Sequence, residues 1–119
     1  MKYKELARST ELLQQYNQEL GSIYDRVKQK GEPEDFFTIV KPFADKVKDE
    51  IELWEPLVLK WINQEKPKYF YKQQVENLKE NITTVSVQAF FPKTGAKRFK
   101  ELVRSNQYNL DSILKRINM

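Results

Sequence analysis

The chain has 119 residues, a net charge of +4, and neither cysteine nor histidine. A chain of that length suits one domain, and without thiols it must hold its fold by packing alone. The two missing residue types exclude a Cys/His zinc site, Ser-His-Asp or Cys-His catalysis, the Glu-x-x-His ligation of di-iron bundles and an imidazole proton shuttle near neutral pH.

The opening residues Met1 to Arg8 alternate charged with apolar side chains and hold no hydrophobic signal region. The longest nearly apolar run, Phe36 to Val40, is far too short for a bilayer. The expected setting is therefore the cytoplasm, with no membrane contact.

The first helix is expected over about 2–30. Leu6, Leu13, Leu20 and Val27 recur every seven residues, with Ser9, Tyr16 and Ile23 along the second seam. Gly31 fits a left-handed cap, and Lys28 and Lys30 suit the negative end of the helix dipole. The heptads could serve a dimer seam, but a bundle satisfies the same pattern within one chain.

The second segment, about 34–64, carries Phe36, Val40, Phe43, Val47, Ile51, Trp54, Val58 and Trp61 at 3–4 spacing. Pro33 fits a first helical turn, followed by Glu34 and Asp35 at the favourable dipole end. Pro42 and Pro56 lack an N–H and clash with the preceding turn, so a short helix at 34–40 should feed a longer one that bends near Glu52 to Pro56.

Lys66-Pro67-Lys68 ends that segment. The third repeats Tyr71, Val75, Leu78, Ile82, Val85 and Ala89 at helical spacing. Its run from Ile82 to Val87 is β-branched enough for a strand, but a lone strand would have no pairing partner. After a turn at Pro92 to Gly95, the fourth helix spans 96–118, with Phe99, Leu102, Val103, Asn106, Leu110, Ile113, Leu114 and Ile117 on one face. The expected fold is all-α: an up-and-down four-helix bundle in one domain over 1–119, the second helix kinked or split at prolines.

Asp35-Phe36-Phe37, Lys41-Pro42, Trp54, Pro67-Lys68-Tyr69, Gln88 and Lys97-Arg98-Phe99-Lys100 stand in register across about 35–100. In that set the chain resembles the YppE-like family of small domains of unknown function from Bacillus, Staphylococcus, Listeria and relatives. The resemblance thins out in the first helix. Pro56 is not part of the family pattern, and 92–96 lacks the polar, histidine-containing stretch typical of the family. The resemblance implies an all-helical fold and brings no activity, cofactor or catalytic residue.

Charge divides the chain unevenly. Residues 1–65 hold 10 Lys and Arg against 13 Asp and Glu, and residues 66–119 hold 11 against 4. On the fourth helix Lys97, Arg104, Tyr108 and Lys115 fall along one line opposite the apolar face, with Lys100 beside them. A cationic stripe with an outward aromatic suits phosphates and stacked bases. The plainer account is a solvated face diluted by Glu101 and Asp111.

Three other constellations invite a functional reading. Lys66 to Lys72 interleaves basic residues with Tyr69, Phe70 and Tyr71, which are expected to plug the bundle end while the lysines stay wet. Trp54 and Trp61 could line a ligand pocket, but their neighbours make them core. Glu76 and Glu80, like Asp45, Asp49 and Glu52, face away from their apolar stripes as ordinary helix-surface charges.

No cofactor or metal is expected, and no nucleophile–base pair or Gly-rich phosphate loop is seen. The reading that remains is a non-catalytic protein–protein interaction module with an unknown protein partner, itself a monomer or weak homodimer. The alternative is nucleic-acid association through the basic face of the last helix.

Overall fold

The structure is a computed structural model and describes residues 2–118. Four α-helices follow in chain order: α1 (Lys4–Lys30), α2 (Lys41–Glu65), α3 (Lys72–Gln88) and α4 (Ala96–Ile117). At 1.5 Å per residue the 27 residues of α1 span about 40 Å, most of the 46 Å long axis.

Long-range contacts fix the directions. On α1, Thr10 meets Trp54 and Tyr16 meets Phe43, so α2 runs antiparallel to it. Asn17 meets Val103 and Tyr24 meets Thr94, so α4 does the same on the other flank. Glu55 pairs with Lys79 and Trp61 packs on Phe70, which sets α3 antiparallel to α2. The result is the up-and-down four-helix bundle expected from the spacing, with α4 closing back onto α1. We call its extremities the Gly31 end, where α2 and α4 begin, and the Pro67 end, where α1 begins.

The helix limits have local causes. Gly31 adopts φ 78° and donates its N–H to the Val27 carbonyl at 2.9 Å, closing α1 as expected. Leu6, Leu13, Leu20, Ile23, Val27 and Ser9 are buried, and Tyr16 packs at the margin. Lys66 closes α2 in the left-handed region without being glycine. The backbone N–H of Tyr71 donates to the Gln74 side chain at 2.7 Å, which anchors the start of α3. Thr83 Oγ1 donates to the Lys79 carbonyl and Ile82 and Val85 are fully buried, so packing overrides the β-branched character of that run.

The second segment departs from its expected phasing. Pro33 lies in the connection, not in a first helical turn. Phe36–Val40 forms a π turn: the Val40 N–H bonds to the Asp35 carbonyl and the Lys41 N–H to the Phe36 carbonyl, five residues apart. The wider turn rotates Phe36 off the α2 stripe, so it is exposed while Val40, Val47, Ile51, Trp54, Val58 and Trp61 are core. Pro42 stands in the first turn of α2, where a missing N–H costs nothing. At Pro56 the helix continues unbroken, and the ring faces solvent.

Candidate interaction surfaces

At the Gly31 end the π turn presents Phe37, 76% exposed, Phe36, 50% exposed, and Ile39. Asp35 pins this turn: its Oδ1 accepts from the Thr38 backbone N–H at 2.8 Å and from Thr38 Oγ1 at 2.9 Å. Those two bonds, the backbone one first, hold the Asp35 carboxyl below its ordinary value. The two phenyl rings meet edge to face at 5.2 Å. The Glu34 N–H reaches the Phe90 carbonyl, which brings the α3–α4 connection alongside. Val87 and Phe91 are exposed there, while Phe90 is buried against Phe43.

The basic line on α4 is present as an exposed face: Lys97, Lys100, Arg104, Tyr108 and Lys115 are all solvent-facing. Two of its four cations have carboxylate partners. Lys115 pairs with Asp111 at 3.0 Å, and Lys100 stands 3.9 Å from Asp25 on α1. Among the described residues no ion pair includes Lys97 or Arg104.

The aromatic run at the Pro67 end is not the full plug expected. Only Phe70 is buried, its ring tilted against Trp61 at 5.8 Å. Tyr69 takes φ 61° and points outward, and Tyr71 is also exposed. Residues 66–71 form a connection instead of a helical turn, which is why alternate side chains part company.

Trp54 and Trp61 are core residues, and the Trp54 indole N–H donates to Thr10 Oγ1 at 3.1 Å. The carboxylates on α2 and α3 gather around a lysine. Lys79 bonds Glu55 at 3.2 Å, which chiefly raises its pKa, with Glu76 and Glu52 adding smaller charge effects. Asp45 pairs with Lys41. Among the described residues no group of three His, Cys, Asp or Glu side chains could hold a metal ion, and no helix is long and apolar enough to cross a membrane.

A row the spacing did not reveal lies beside the α1 heptads: Thr10, Asn17 and Tyr24, seven apart and all buried. Each uses its polar atoms. Thr10 bonds the Leu6 carbonyl, Tyr24 Oη donates to the Thr94 carbonyl, and Asn17 Nδ2 donates to the Val103 carbonyl and to Gln107. Asn106 of α4 donates to Asn17 Oδ1, leaving its own Oδ1 buried without a partner. The Val103 carbonyl can only accept, so of the two ends of the Asn17 amide it must face Nδ2, which turns Asn17 Oδ1 towards Asn106 Nδ2 and fixes both orientations.

These surfaces define a small α-helical bundle with exposed aromatic and basic faces. Residues 10–117 match the model of a bacterial domain of unknown function, DUF1798, and the chain belongs to that family. It is 29% identical over 90 residues to the uncharacterized protein YppE of Bacillus subtilis, covering 76% of this chain and 73% of that protein. Among solved structures, a Listeria innocua protein of unknown function superposes with a TM-score of 0.92 at 27% identity, covering 98% of this chain and 93% of that one. Bacillus subtilis YppE superposes at 0.91 with 26% identity, covering 99% and 96%. A DUF1798 domain from Staphylococcus aureus gives 0.81 with 28% identity, covering 94% and 95%.

Proposed function

We propose that this protein is a non-catalytic, cytoplasmic interaction module that binds another protein through the aromatic Gly31 end. One observation carries the reading: Phe36 and Phe37 are held in water on a turn that Asp35 and Thr38 pin in place. Large apolar side chains exposed together mark interaction sites, and a pinned turn loses little freedom on binding. The test is affinity capture from native lysate with the wild-type chain and a Phe36→Ala/Phe37→Ala variant side by side. The reading expects a reproducible protein partner that the double variant loses. Recovery of no partner, or equal recovery by both baits, overturns it.

A second reading is favoured by the exposed line on α4, where Tyr108 is 74% exposed beside Arg104. There the chain would associate with nucleic acid through Lys97, Lys100, Arg104, Tyr108 and Lys115. Phosphate contacts would make affinity fall steeply with salt. Undetectable binding to mixed DNA and RNA at low ionic strength sinks this reading.

A further inference from the structure

The outer seam between α1 and α2 is not flush. One stretch of it is a groove of about 460 Å³ in which Leu12, Leu53, Pro56 and Leu57 are the apolar part. Glu5, Glu11 and Glu50 line the same stretch against a single cation, Arg8. A second stretch of about 410 Å³ shares Glu5 and Leu57 with the first and continues to Lys4 and Lys60 near the Pro67 end.

Three features distinguish this groove from ordinary helix surface. Leu53 is 63% exposed, more than any other exposed aliphatic side chain described. Ser9 Oγ donates to Glu50 Oε2 at 2.6 Å, which holds that carboxylate on the rim. Pro56 supplies no N–H to the Glu52 carbonyl, leaving a main-chain acceptor without its helical donor beside Leu53.

The net charge changes along the seam: Glu11 and Glu50 outweigh Arg8 towards mid-bundle, and Lys4 and Lys60 outweigh Glu5 at the Pro67 end. Among the described residues no ion pair includes Glu11, Glu50, Lys4 or Lys60. The two stretches together run beside residues 2–15, which is about 20 Å at the rise of a helix.

We propose that this groove receives an amphipathic helix of a partner protein, about four turns long. Its Leu/Ile-type face covers Leu53 and Leu57. Basic side chains at one end meet Glu11 and Glu50, and acidic ones at the other meet Lys4 and Lys60. Charge complementarity selects this occupant: a uniformly basic helix is repelled at Lys4 and Lys60, and a uniformly acidic one at Glu11 and Glu50. The helix-in-groove mode needs only spaced apolar anchors and matched flanks. The site is separate from the aromatic end and does not rest on its role.

The experiment uses three fluorescent synthetic helices with the same leucine face, one with a lysine half and a glutamate half, one all-lysine and one all-glutamate. Titrated with the full chain, the bipolar helix is expected to bind at least about tenfold more tightly than either uniform one. Leu53→Asp and, separately, Glu11→Lys should each remove most of that binding while the circular-dichroism melt is unchanged, and Phe37→Ala should leave it intact. Three results each overturn the proposal: no preference for the bipolar helix, binding indifferent to both groove variants, or binding lost in Phe37→Ala. Loss of capture by the Phe36/Phe37 variant with peptide binding intact separates the fate of this site from that of the aromatic end.

Discussion

The two ends of the bundle each bury some aromatics and expose others, but they differ in which ones. At the Pro67 end, Phe70 is folded onto Trp61, and polar bonds sew the chain together over it: Tyr3 Oη to Glu65 at 2.6 Å, Lys2 to Glu65 at 3.3 Å, and Arg116 to the Lys68 carbonyl. At the Gly31 end, Phe90 and Phe43 are packed away, yet Phe36, Phe37, Ile39 and Phe91 remain in water. Tyr69 and Tyr71 stay exposed at the sewn end as well, so the difference lies in the phenyl rings: Phe70 is covered there, whereas Phe36, Phe37 and Phe91 are not covered at the Gly31 end. Phe36, Phe37 and Ile39 are exposed there on the π turn, and Phe91 on the α3–α4 connection.

That contrast can be broken by mutation, beginning with the largest effect. Trp61→Ala at the sewn end should cost about 3–5 kcal/mol in urea unfolding. Phe37→Ala at the open end should stay within about 0.5 kcal/mol, as surface changes do. A large loss from Phe37→Ala would mean that the open end is part of the core after all. Next, Tyr24→Phe removes the hydroxyl bond to the Thr94 carbonyl and should cost about 1 kcal/mol, read as a lower urea midpoint at unchanged slope.

Asp35→Ala should act more locally. Amide exchange at Phe36 to Val40 should quicken while the α1 and α4 core amides keep their protection.

The smallest effect is pH dependence, which has the same acid arm at both ends and an added alkaline arm at the Pro67 end. Glu65 is held below its ordinary 4.5, first by the Tyr3 hydroxyl and then by Lys2. Its contribution is complete above pH 4.5 and is lost as pH falls through the lowered folded value. Asp35 behaves the same way below 3.8. Tyr3 is raised above 10.0, by partial desolvation and then by Glu65, and Lys2 is raised above 10.5, chiefly by its bond to Glu65. Their contributions are complete below those ordinary values and fade as pH rises through the raised ones. Acid thus loosens both ends, and alkali loosens the sewn one. Tyr16, raised by partial burial and then by Glu50 and Glu19, and Lys79, raised chiefly by Glu55, add an alkaline loss along the bundle. Between about pH 8 and pH 11 the fall in Tm should be smaller in a Lys2→Gln/Tyr3→Phe variant than in the wild type.

The helices were legible because apolar spacing carries the phase of a helix. Leu6 to Val27, Val47 to Trp61 and Phe99 to Ile117 needed nothing else. Apolar spacing alone places Phe36 in the core, because a π turn shifts that phase by a residue and no residue type announces one. Thr10, Asn17 and Tyr24 carry no such signal, being polar and outside the two heptad seams. They are buried because α1 contacts all three other helices and so hides a third row. The basic face of α4 was legible as exposed, but the approach of Asp25 to Lys100 depends on how α1 and α4 meet. The seam groove, with Leu53 exposed above it, likewise depends on two helices at once.

The buried Asn17–Asn106 contact has a consequence for the register of α4 on α1. Leucines and isoleucines tolerate a slip of one helical turn, since each finds another apolar neighbour. The two amides do not. Displaced by one turn, Asn17 loses the Val103 carbonyl and Asn106 loses Asn17, with each stranded group costing about 1–3 kcal/mol. In the native alignment Asn106 Oδ1 is the one buried side-chain polar atom without a partner among the described residues. The pair thus acts as a ruler between the two helices, with the Tyr24–Phe99 stack marking the same register, and it fixes how far along α1 the basic face of α4 is displayed, including the approach of Lys100 to Asp25.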